Sequence, residues 1–64
     1  MTKLQQAIIQ ALHKEGRPRN PNQMVDLIPR VNAITIRKAC DNLVAVGILK
    51  KTENAVWGYN YYFK

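Results

Sequence analysis

The spacing of apolar residues changes its period once along this chain, at Gly47, and that change commits it to a mixed architecture. Before Gly47 apolar positions recur at helical intervals. After it, Ile48-Leu49-Lys50-Lys51-Thr52 is β-competent, Glu53-Asn54-Ala55 is turn-like, and Val56-Trp57-Gly58-Tyr59-Asn60-Tyr61-Tyr62-Phe63 is aromatic with partial alternation. Helices first and a hairpin last make an α+β fold. A lone hairpin is marginal in water, so its apolar face must pack on the helices.

Three helices precede the change. Between Thr2 and Glu15 the residues Leu4, Ala7, Ile8, Ala11 and Leu12 form one stripe. Thr2 and Gln5 have capping-box spacing, and Gly16 is placed for a left-handed end. Arg17-Pro18-Arg19-Asn20-Pro21-Asn22 is a turn, because two prolines exclude a helix interior. Asn20 then caps a short second helix with Pro21 in its first position, carrying Met24, Val25 and Ile28 and stopping before Pro29. Asn32 caps a third helix of about thirteen residues, spanning 32–46 and ended by Gly47. Its inner stripe is Ile36, Ala39, Cys40 and Leu43. Its opposite face carries Lys38, Asp41, Asn42 and Ala45, with Thr35 and Arg37 on the flanks and Ile34 in the first turn.

Sixty-four residues allow a single domain, 1–64, with one thin core and no deep substrate cavity. An enzyme is therefore not expected. With one cysteine and one histidine there is neither an internal disulfide nor a Cys/His set for zinc, and no cofactor or small-molecule ligand is implied. No apolar stretch approaches the roughly 20 residues that span a bilayer, and no signal-like segment follows Met1, so the expected location is the cytoplasm. Ten Lys or Arg against four Asp or Glu give a net charge of +6, which favours an anionic partner.

The stretch Thr35-Ile36-Arg37-Lys38-Ala39-Cys40-Asp41-Asn42-Leu43-Val44-Ala45-Val46-Gly47-Ile48-Leu49 resembles the T-[VI]-R-[RK]-A-x-x-x-L-x-x-x-G-[LI]-[LI] pattern of GntR-type winged helices, and more loosely that of MarR-type ones. Asn32 stands where those families usually place a capping Ser, and Cys40 where they usually have Leu. The resemblance implies a three-helix winged helix-turn-helix with a two-stranded wing. It implies a head that reads double-stranded DNA, with no effector domain following it.

Elementary recognition chemistry leads the same way. The major groove admits one helix, whose exposed N-terminal face reads base edges. Arg37 and Lys38 suit guanine O6 and N7, Asn42 suits adenine, and Thr35 suits a phosphate or a thymine methyl, as does Ile34 for the methyl. Each of these alone also fits a solvated helix face. Arg30 near the start of the third helix, with Lys50 and Lys51 at the wing, would neutralise backbone phosphates. Arg17 and Arg19 serve either that purpose or solubility, and the 53–55 loop is not basic. A transcription regulator follows from this reading, with a homodimer as the natural way to lengthen its site.

The remaining chemistry is sparse. Cys40 reads as a small core residue and His13 as helix surface; the four carboxylates form no acid/base pair. In the second strand Tyr59, Tyr61 and Phe63 are expected to pack on the helices, with Trp57, Asn60 and Tyr62 facing outward. An outward Trp57/Tyr62 pair supports the alternative function, a winged helix used as a protein-interaction module.

Overall fold

The computed structural model describes residues 1–56 and 58–63. It is an α+β chain whose elements run α1 (Lys3–Glu15), α2 (Pro21–Met24), α3 (Ala33–Ala45), β1 (Leu49–Asn54) and β2 (Gly58–Phe63). The strands form one antiparallel sheet.

Local chemistry sets the helix ends. Thr2 Oγ1 accepts from the Gln5 N–H at 3.1 Å while Gln5 Oε1 accepts from the Thr2 N–H at 3.0 Å, the reciprocal cap expected for α1. At the other end Gly16, at φ 70°, donates its N–H to the Leu12 carbonyl. Asn20 and Gln23 repeat the reciprocal cap on α2, at 2.9 and 3.2 Å. For α3 the Asn32 side chain accepts from the Thr35 N–H at 2.8 Å. It ends in a Schellman motif: Gly47, at φ 85°, donates to the Val44 carbonyl and Ile48 to that of Leu43.

The second helix is shorter than its sequence pattern. It stops at Met24, and Ile28 is carried instead by turns in which both Leu27 and Ile28 donate to the Met24 carbonyl. Pro29 disfavours helical backbone at Ile28, and the chain reverses through Arg30 at φ 67° to deliver Asn32 to its cap. Met24 and Ile28 are nonetheless both buried.

The hairpin also differs from expectation. Glu53 and Asn54, expected in the turn, extend β1 and pair with Tyr59 and Gly58. Val56, expected in the second strand, is an exposed turn residue whose N–H is taken by Asn54 Oδ1 at 2.9 Å. Alternation places Leu49, Lys51 and Glu53 with Tyr59, Tyr61 and Phe63 on one face. Only Leu49 and Tyr61 on that face are buried. Tyr59 (41% exposed) and Phe63 (38%) are not core residues, because the face is wider than the helices that cover it. Phe63 meets the His13 ring edge-on, with centroids 5.7 Å apart. On the reverse face Asn60 and Tyr62 are half-buried, and Trp57 lies outside the described residues.

One pairing has no counterpart in the sequence pattern. Arg19, in the connection between α1 and α2, forms a two-bond antiparallel bridge with Tyr61: its N–H donates at 2.9 Å and its carbonyl accepts at 2.7 Å. This pins the connection to β2 on the edge that β1 leaves open. The core draws Ile8 and Leu12 from α1, Met24 from α2, Ile36, Ala39, Cys40 and Leu43 from α3, and Leu49 and Tyr61 from the sheet, with Ile28 between α2 and α3.

Candidate nucleic-acid interface

Burying Ile36, Ala39, Cys40 and Leu43 turns the opposite side of α3 to solvent. At 100° per residue the line opposite the buried stripe runs between Ile34 and Ala45, with Lys38 about 30° to one side of it and Asn42 and Thr35 about 70° and 90° to that same side. All five are exposed, Ile34 at 69%. Arg37 and Asp41, one turn apart, lie on the flank that faces the hairpin. With Lys51, Gly58, Tyr59 and Tyr61 they line a cleft of about 240 Å³. Arg37 also borders a second cleft of about 180 Å³, walled by Pro21, Asn22, Ala33 and Ile34.

Inside the larger cleft the Tyr61 hydroxyl donates to Asp41 Oδ1 at 2.5 Å. Burial first, and this bond second, hold the Tyr61 phenol far above its usual range. The Lys51 ammonium sits 4.3 Å from the centre of the Tyr59 ring, a cation–π contact on the same sheet face. Lys50, adjacent in sequence, pairs with Tyr62 on the reverse face, so the two lysines serve opposite sides of the hairpin. Arg30 is exposed two residues before the α3 cap. Among the described residues none of Arg30, Arg37, Lys38, Lys50 and Lys51 forms an ion pair.

Arg17 and Arg19 behave differently. Glu15 draws both, with Arg19 Nε at 3.1 Å and Arg17 Nε at 3.8 Å from its carboxylate. Arg19 Nε has no directed hydrogen bond, so this is a charge contact, and the residue's main work is the backbone bridge to Tyr61. Sequence periodicity also missed the Asp41–Tyr61 bond. Its partners are 20 residues apart, each unremarkable in its own element.

Cys40 is fully buried, and desolvation, with the nearby Asp41 charge, pushes its thiol up to about 12, which makes it a poor nucleophile. Among the described residues no group of three His, Cys, Asp or Glu side chains is placed to hold a metal ion, and no helix is long and apolar enough to cross a membrane. Comparison of the chain with protein-family models, with curated proteins and with solved structures gives no match.

Proposed function

We propose that this chain is a winged helix-turn-helix protein that binds double-stranded DNA sequence-specifically and regulates transcription, with α3 as the recognition helix and the hairpin as the wing. The observation that carries the reading is the outer face of α3. Thr35, Lys38 and Asn42 stand exposed together in its first ten residues, next to apolar Ile34, while the acidic group of the same surface, Asp41, is engaged by Tyr61. A helix inserted in a major groove presents such donors to base edges and an apolar side chain to a thymine methyl. Exposed Arg30, Lys50 and Lys51, within a net charge of +6, supply the phosphate attraction. A second copy of the chain is the partner that would extend so small a footprint, since two-fold symmetry doubles both contacts and site length.

Selection of bound duplexes from a random pool, followed by anisotropy titration, tests this reading. Log affinity should fall with log salt at a slope of about −0.9 for each phosphate contacted. Lys38→Ala should cost about 1–3 kcal/mol on the selected site and relax preference at one position. A two-fold repeat in the selected sequences would report the dimer. Absence of duplex binding at low salt would remove the proposal.

A further inference from the structure

We infer that the cleft between α3 and the hairpin is a seat for one backbone phosphate of the duplex, shared by Arg37 and Lys51. This rests on the duplex-binding reading above and changes the role of one of its residues. By residue type Arg37 is a natural reader of guanine; by position it belongs to the side of α3 that shares a cleft with the hairpin. It lies about 70° around the helix from the line opposite the buried stripe, on the flank facing the hairpin and away from Asn42 and Thr35. A helix seated in a groove about 12 Å wide turns its outer sector to the base edges and its flanks to the walls, which are phosphate strands.

The cleft's chemistry fits a phosphodiester. Two cations line it, one from α3 and one from β1, so the helix and the hairpin would grip the same group from two sides. Neither cation is consumed by an ion pair among the described residues. Lys51 lies over the Tyr59 ring, an arrangement that holds its stem within the cleft. Among the lining residues the opposing charge is Asp41, one carboxylate against two cations, and the Tyr61 hydroxyl already occupies its Oδ1; Glu53, on the same sheet face, lies outside the lining. Within the lining, attraction therefore exceeds repulsion for a singly charged phosphodiester.

The test compares wild type with Arg37→Ala, Lys51→Ala, the double variant, Asp41→Asn and Lys38→Ala. Each is titrated with the selected duplex and a single-base variant of it across a salt series, with circular dichroism melts to verify folding. Arg37→Ala and Lys51→Ala should weaken both duplexes several-fold and by the same factor, leaving discrimination unchanged, whereas Lys38→Ala should alter it. In the double variant the salt slope should drop by about 0.9, the value of one phosphate. Asp41→Asn, which keeps an acceptor for Tyr61 and removes the charge, should tighten both duplexes. Changed discrimination in Arg37→Ala would show a base contact and overturn the inference. So would an unchanged slope in the double variant, or a drop of about 1.8, which means two separate phosphates. Failure of the wild type to bind any duplex would instead remove the function proposed above.

Discussion

Cys40 and Tyr61 show how one side chain can make stability depend on pH in a chain with few titratable groups in its interior. Both are buried in their neutral forms, Cys40 with its thiol raised from 9.0 to about 12 and Tyr61 with its phenol raised well above 10. A raised value in the fold means that the unfolded chain gives up the proton first. Stability from Cys40 is therefore whole below pH 9 and drains away as the pH rises toward 12; Tyr61 adds a loss of the same sign from pH 10 upward. Over the full window the thiol alone is worth up to about 4 kcal/mol. Melting temperature should thus fall steeply above pH 9, and Cys40→Ala should flatten that fall even though it loosens packing at pH 7. Circular dichroism melts from pH 7 to 11 measure it, and parallel curves for the two proteins would refute the role of the thiol. Periodicity alone placed Cys40 in the core. The Asp41–Tyr61 bond escaped it, since a polar residue on an outer helix face and a tyrosine on a strand carry no mark of each other.

Elements were legible where short-range chemistry decides them. Both 13-residue helices follow their apolar stripes and capping residues, because side chains three or four positions apart and caps three residues apart are properties of the local chain. Legibility fails where a distant partner decides. Met24 and Ile28 show helical spacing, yet the reversal needed to start α3 leaves only four helical residues, and no local pattern announces a bridge from Arg19 to β2. In β2 the alternation gave the right face for Tyr59, Tyr61 and Phe63 but not how far the helices extend beneath it. For so short an α2 the cap matters more than the turns it caps. Asn20 is 1% exposed and its Oδ1 takes the Gln23 N–H inside the first turn, so Asn20→Ala, which leaves that donor buried without its side-chain acceptor, should cost about 2 kcal/mol, at the upper end for such caps. Exposed Thr2 makes the same reciprocal pair, and Thr2→Ala should cost only about 0.5–1 kcal/mol. Urea unfolding that gave the two variants equal midpoints would contradict this ordering.

At the scale of the whole molecule, the last strand closes the fold that the helices begin. Tyr61 takes part in three separate connections: its backbone bridges Arg19 between α1 and α2, its ring fills the core, and its hydroxyl holds Asp41 on α3. Burying a tyrosine removes about 150 Å² or more from water, worth about 4 kcal/mol at 25 cal/mol per Å². A chain of 64 residues has a total stability of about 3–10 kcal/mol. One residue of the terminal strand thus carries a large share of the margin, and helices of 13 residues or fewer are marginal in water by themselves. It follows that the three helices are not an independent bundle to which a hairpin has been added. A chain of residues 1–55, which retains every helix and all of β1, should lose most of its far-ultraviolet helical signal and show no cooperative melt. Tyr61→Ala in the full chain, at a cost of about 3–5 kcal/mol, should approach the same state. A sigmoidal melt in the shortened chain would show instead that the helical layer folds alone. In that case the position of the hairpin against α3, and with it the cleft between Arg37 and Lys51, would be set by contacts weaker than those that hold the core.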